Sequence, residues 1–355
     1  MRKVILILLG LAVGLAVSEI GLRMWDHLEQ SREQAVNFYD CADKLYAHDS
    51  TIGWRLVPNE SCRQKTVEYD VEYKTNGKGF RDDEEHSYAK DPAKKRIVIL
   101  GDSHTFGQGI AIENTFGKLL QKNTGAEVLN FGVPGYDAGQ YYIALKMEGI
   151  KYNPDIVVFG FYFLNDINEI NVGSNSGPKP IFSLGNNSLV LSSVPEESAA
   201  EAAAPKADYR VKNQTVYNMT KWLFDLKTLS LTKTLAKEYL YGFLSRLGLV
   251  KTVDDYSDKF AIFNEIIKKT KELLPGKTVA AILIPSRNIR FNLLERQIGE
   301  KMGSILKNNG IPFVDLTPTV IAGKDLYFPK DGHINEKGHQ MASEAIAKLL
   351  GLSNK

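Results

Sequence analysis

Cysteine is nearly absent from this chain: Cys41 and Cys62 are the only two in 355 residues. At most one disulfide can form, so a buried core must carry the fold, and this length allows a sizeable one. A surplus of one charge sign is also missing. The formal net charge is +2, which gives no reason to expect nucleic acid or a strongly acidic partner. No internal repeat is present. The stretch GDSHTFGQG (101–109) lacks the Lys-Ser/Thr of a phosphate-binding loop and the spacing of a dinucleotide fingerprint. It also fails the G-x-S-x-G elbow, because Thr105 stands where the last glycine should be.

Long apolar runs are absent except at the start. Met1-Arg2-Lys3 precedes an uncharged stretch from Val4 to Val17, and apolar character continues through Ile20, Leu22, Met24 and Trp25. This segment reads as an uncleaved membrane anchor, with a signal peptide cut after a small-x-small Ala16-Val17-Ser18 as the alternative. The basic N-terminus places the remainder outside the cytoplasm. Cys41 and Cys62 are then expected to pair as a disulfide, since export favours oxidation.

The chain divides into residues 1–25 as anchor or signal, 26–95 as connector and prefix, and 96–355 as the main domain, with an insertion over 168–255. In the prefix, alternation from Thr66 to Tyr73 predicts a strand and Asn76-Gly77 a turn. Beyond it, RIVIL (96–100), EVLNF (127–131), DIVVFGFYF (155–163), TVAAILIP (278–285) and PFVDL (312–316) alternate with helical patterns near 113–122, 138–149, 289–307 and 335–350. Strands alternating with helices predict an α/β fold with a doubly wound, five-stranded parallel sheet flanked by helices. Apolar runs, rather than alternation, suit strands buried on both faces. Within the insertion, a hairpin is expected around Gly185-Asn186-Asn187. An aromatic-rich helical stretch over 216–249, with Trp222, Phe224, Tyr239, Tyr241 and Phe243, is core packing or a lid over the site.

In such sheets ligands bind beyond the carboxyl ends of the strands. The first strand ends at Ser103, the second runs into Gly132 and Gly135, the third into Asn165-Asp166, and the last is followed by Asp331 and His333. Acyl transfer needs a nucleophile, a base, and a third group to fix the imidazole tautomer. Ser103, His333 and Asp331 supply that set. The backbone N–H groups of Ser103 and Gly135 and the side-chain amide of Asn165 are candidate oxyanion donors. Asp102, His104 and Asp166 read as structural neighbours. A metal site in which His339 joins Asp331 and His333 would set its histidines six residues apart across a helix start with no further strong ligand, so no metal or organic cofactor is expected.

GDSHT, the Gly135 loop, Asn165-Asp166 and DGHIN (331–335) resemble the four ordered blocks of the SGNH (GDSL-like) hydrolase superfamily. The likeness spans about 96–167 and 278–350, and implies a flavodoxin-like sheet and ester hydrolysis. The prefix GWRLVPN…NGKGFRD and the apolar N-terminus resemble a membrane-anchored bacterial branch linked to surface polysaccharide. That implies a serine esterase acting on acyl esters, often acetyl, of an extracytoplasmic glycan or lipid. The alternatives are an O-acyltransferase to a surface polysaccharide and a non-catalytic glycan-binding or assembly protein. Two departures stand out. Phe163 replaces the usual glycine two residues before Asn165 and is expected to narrow the acyl pocket. Asp331 precedes His333 by two residues rather than the commoner three.

Overall fold

In the computed structural model, the structure describes residues 38–39, 41–173, 177–186, 188–194, 245–246 and 251–352. The N-terminal apolar segment and the aromatic-rich stretch of the insertion lie outside the described residues, apart from Ser245-Arg246. Among the described residues, no helix is long and apolar enough to cross a membrane. Nearly all of the described residues belong to one compact unit, formed from Tyr39–Lys206 and Val253–Lys355.

The prefix contributes two antiparallel pairs, β1 (Tyr46–Asp49) with β2 (Gly53–Leu56) and β3 (Ser61–Lys65) with β4 (Asp70–Lys74). The strand expected over 66–73 is broken. Thr66 Oγ1 accepts from the Glu68 and Tyr69 N–H groups, both at 3.1 Å, and the Thr66 N–H donates to Tyr69 O at 2.8 Å. This hydroxyl-stabilised turn closes a tight hairpin, so Tyr69 sits at its tip. Cys41 and Cys62 are disulfide-bonded, a loop closure that stabilises by about 3 kcal/mol in the chain-entropy model.

The main sheet consists of β5 (Arg96–Gly101), β6 (Glu127–Gly132), β7 (Ile156–Tyr162), β10 (Thr278–Ile284) and β11 (Phe313–Asp315), all parallel. Its order is β6-β5-β7-β10-β11. In order of appearance this is 2-1-3-4-5, the doubly wound arrangement expected from the sequence. Ile97 through Leu100 on β5 are fully buried, as strands covered on both faces must be. The remaining pair, β8 (Phe182–Gly185) with β9 (Ser188–Leu191), forms the hairpin expected in the insertion. Asn186 at its tip takes a left-handed φ of 51°.

With this strand order, the rule that parallel crossovers are right-handed puts α2 (Phe116–Thr124) on one face and α3 (Ala138–Met147), α5 (Ser257–Leu273) and α6 (Leu293–Asn308) on the other. The contacts divide the same way: α2 packs on α7 (Glu336–Leu349), and α5 packs on both α3 and α6. Caps set the helix starts a few residues later than the apolar pattern suggests. Thr115, Asn292 and Asn335 accept from the N–H three residues on, each satisfying one orphan donor.

Two short elements at the strand ends, α1 (Ser103–Phe106) after β5 and α4 (Phe163–Asn168) after β7, carry residues of the site. The prefix is joined to α1 by a cluster in which Leu45, Leu56, Cys62, Tyr69, Val71 and Tyr73 pack with Phe106, and with Val133 and Phe328 at its margin.

Candidate active site

At the end of β5 the chain turns into α1 directly above the sheet edge. Gly101 is in register with Gly132 on β6 and with Gly160 on β7. A Cβ at Gly101 or Gly160 would collide with the Thr105 hydroxyl, and one at Gly132 with the backbone of Thr105 and Phe106. This row of three glycines lets the turn settle onto three strands at once. Asp102 caps the turn, accepting from the His104 N–H at 2.9 Å. Gly107 closes it with φ 87°, a conformation natural to glycine. From below, the buried Arg81 guanidinium donates to the carbonyls of Phe106, Gly107 and Ile110 and lies 4.8 Å from the Phe106 ring centroid. Arg81 has no carboxylate among these partners, and burial lowers its pKa to about 10.

Ser103 Oγ is 2.7 Å from His333 Nε2, and His333 Nδ1 bonds Asp331 Oδ1. Ser103, His333 and Asp331 are thus brought together in one chain of hydrogen bonds. The two-residue spacing of Asp331 and His333 works through an Asx turn: Asp331 Oδ1 also accepts the His333 backbone N–H at 3.2 Å. Burial raises the Asp331 pKa, but hydrogen bonds from His333 and Tyr69 outweigh it and hold the carboxyl below its ordinary value. An ionised Asp331 requires the proton of neutral His333 to reside on Nδ1, leaving Nε2 free to accept from the serine.

Gly135 lies in a turn closed by the Tyr136 N–H on Val133 O at 3.2 Å, with Pro134 before it and φ 80°. A positive φ after proline is the type II pattern. Among the described residues, neither the Ser103 N–H nor the Gly135 N–H meets an acceptor. Asn165 donates one amide hydrogen to Asp102 Oδ2 at 2.9 Å, and its second remains.

Behind these donors sit two buried carboxyls. Burial pushes Asp102 up to about 6, against the lowering influence of its N–H donors and of His333. Asp166, which accepts the Tyr162 N–H at 2.6 Å, is driven well above the ordinary range by burial and by the Asp102 charge. Burial and the two like charges together disfavour ionisation of both carboxyls at once. His104 packs its ring 4.5 Å from Tyr162 and 4.9 Å from His333. Burial keeps it neutral, with His333 and His339 adding to the effect.

Phe163 corrects an expectation. It is fully buried with its ring against Gly299 of α6, so it packs the core instead of narrowing an acyl pocket. His339 is also internal: its Nδ1 accepts the Phe116 N–H at 3.0 Å and its ring stacks on Phe116. Among the described residues, the one cluster of side chains spaced to hold a metal ion is Asp82, Asp83 and Glu84, and all three already bond Lys118.

No protein-family model matches the chain, and no curated protein does. Solved structures do. An alpha/beta hydrolase enzyme from the metagenome of Lake Arreo, Spain, is 13% identical, with a TM-score of 0.42 over 76% of this chain and 100% of that one. A psychrotrophic esterase from Pseudoalteromonas sp. is 13% identical, with a TM-score of 0.39 over 73% and 97%. An acetyl xylan esterase is 12% identical, with a TM-score of 0.38 over 71% and 98%.

Four prefix residues that touch these loops were not evident from the sequence. Trp54 Nε1 donates to Pro134 O at 3.1 Å, and the Tyr69 hydroxyl donates to Asp331 Oδ2 at 2.9 Å. Glu68 accepts the Lys330 and Asp331 N–H groups at 2.9 and 2.6 Å. Arg81, the fourth, grips the nucleophile turn. For Trp54 and Arg81 the signal was present in GWRLVPN and NGKGFRD, but nothing in a single sequence says which strand-end loop each prefix residue would meet.

Proposed function

We propose that the protein is a serine esterase that cleaves acyl esters, acetyl foremost, on an extracytoplasmic glycan or lipid. The observation that carries this reading is the relay from Ser103 Oγ through His333 to Asp331. In the proposal, His333 Nε2 takes the Ser103 proton as Oγ attacks the ester carbonyl. The tetrahedral oxyanion is met by the Ser103 and Gly135 N–H groups and the second Asn165 amide hydrogen. His333 then protonates the departing alkoxide, leaving an acyl-serine. A water activated by the same imidazole releases the acid and restores the serine. The step uses the chain's own residues alone. The His333 and Asp331 side chains keep 21% and 19% exposure, which favours water as the acceptor over acyl transfer to a sugar. The Cys41–Cys62 disulfide and the apolar leader support an oxidising location outside the cytoplasm, with the leader as membrane anchor.

The test needs no knowledge of the natural substrate. Full-length protein is treated with a fluorophosphonate and the adduct mapped by mass spectrometry, with turnover of an aryl acetate measured alongside. The expected result is an adduct on Ser103, lost in His333→Ala, and aryl acetate turnover reduced by at least about 10³-fold in Ser103→Ala. Folded protein that forms no adduct and turns over no ester would overturn the reading. Product analysis with a sugar acceptor present separates hydrolysis from acyl transfer.

A further inference from the structure

Two loops of the site, neither of them part of the prefix, are held in place by prefix side chains. The Asp331 loop receives two kinds of bond from the tip of the β3–β4 hairpin. Glu68 takes the backbone N–H groups of Lys330 and Asp331, fixing the path of the loop. Tyr69 donates to Oδ2 of Asp331, while Oδ1 faces His333. Both carboxylate oxygens are thereby assigned, and the plane of Asp331 is fixed relative to the imidazole. Tyr69 is itself located by its ring, 5.2 Å from that of Phe328, and by Gly109, where a Cβ would press on both rings.

The second loop is the Gly135 turn. The Trp54 indole N–H donates to Pro134 O. No described peptide is cis, and in a trans peptide the carbonyl and the following N–H point in opposite directions. Holding Pro134 O toward Trp54 therefore turns the Gly135 N–H away from Trp54.

We propose that Trp54, Glu68 and Tyr69 are positioning residues of the active site: Tyr69 and Glu68 orient Asp331 for His333, and Trp54 fixes the peptide that presents the Gly135 N–H. The proposal rests on the esterase reading for its kinetic consequence, but its geometric core does not. Of the groups that bear on His333, namely Asp331, Asp102 and the buried imidazoles of His104 and His339, only Asp331 accepts a hydrogen bond from Tyr69. Removing the hydroxyl leaves the Asp331 charge undivided for the imidazolium, which is then easier to form.

The test compares Tyr69→Phe and Trp54→Phe with wild type, each checked for an unchanged circular dichroism spectrum. For Tyr69→Phe, kcat on an aryl acetate should fall about tenfold, the size of one hydrogen bond to a charged group. The acid limb of its rate profile should move to higher pH, with KM little changed. For Trp54→Phe, kcat should fall with the acid limb in place. The His333 pKa, followed by proton NMR of its ring, should rise in Tyr69→Phe whether or not the protein turns over an ester. Rates within twofold of wild type in both variants, or an unmoved His333 pKa in Tyr69→Phe, would overturn the proposal. A wild type without esterase activity whose His333 pKa still answers to Tyr69 would sink the esterase reading and leave the positioning role standing.

Discussion

Two regions meet at Ser103, the parallel sheet behind it and the prefix beside it, and they are held together by different physics. The sheet relies on bulk burial: Ile97 to Leu100, Val157, Val158 and Ala280 to Ile284 expose essentially nothing. Its energy is spread over many similar contacts. The prefix has short strands alternating buried and exposed residues, and makes up the difference with individual bonds. These are the Cys41–Cys62 disulfide, Arg81 on three carbonyls, and a buried His86 between Asp82 and Glu127 at 2.9 and 3.0 Å. Distributed burial tolerates change gradually, whereas a buried polar bond fails all at once because its partner is left unsatisfied. The contrast matters because the sheet supplies Ser103, while the prefix holds the loops that must meet it.

Three measurements sharpen that contrast. The largest effect is expected at Ile282→Ala, in the middle of fully buried β10. It should cost about 4 kcal/mol in denaturant unfolding, while the activity of the molecules that stay folded changes little. Arg81→Met should cost somewhat less, about 3 kcal/mol, by stripping carbonyls of their donor. It should also slow aryl acetate turnover per folded molecule, because α1 loses its clamp. Equal kinetics in the two variants would break the comparison.

The smallest effect concerns pH. Burial lowers the His86 pKa, but Asp82 and Glu127 outweigh it and the folded value lies above 6.5. A group of this kind contributes stability that is complete below its unfolded pKa and lost as pH rises through the folded one. Melting temperature should therefore decline above about pH 6.5, and His86→Gln should flatten that part of the curve. The elevated Asp102 pKa acts in the same direction but in a lower window, from the unfolded aspartate value of 3.8 up to about 6. A curve that keeps its alkaline slope in His86→Gln would remove His86 as an anchor of the prefix.

The main domain was more legible than the prefix for the same reason. A strand buried on both faces is a continuous apolar run, so RIVIL, EVLNF and TVAAILIP announce themselves. Residues at their ends are then grouped by topology alone. The prefix is encoded by side chains whose partners lie far away in sequence, 262 positions for Tyr69 and Asp331 and 80 for Trp54 and Pro134. Periodicity cannot report such pairs. It misled at 66–73, where alternation ran straight through a turn made by the Thr66 hydroxyl. The Phe163 substitution misled in another way, because a residue next to the site in sequence can point into the core.

The sequence by itself determined the doubly wound parallel sheet to expect, the set of Ser103, Gly135, Asn165, Asp331 and His333 at the strand ends, and the pairing available to two cysteines. These follow from local pattern and from the rule that parallel strands present their carboxyl ends on one edge. Only the tertiary structure decided that Asp102 holds Asn165, that burial raises the pKa of both Asp102 and Asp166, and that the prefix holds Asp331 and the Gly135 turn. Each of those depends on burial and on distances of about 3 Å between distant segments, which local pattern does not contain.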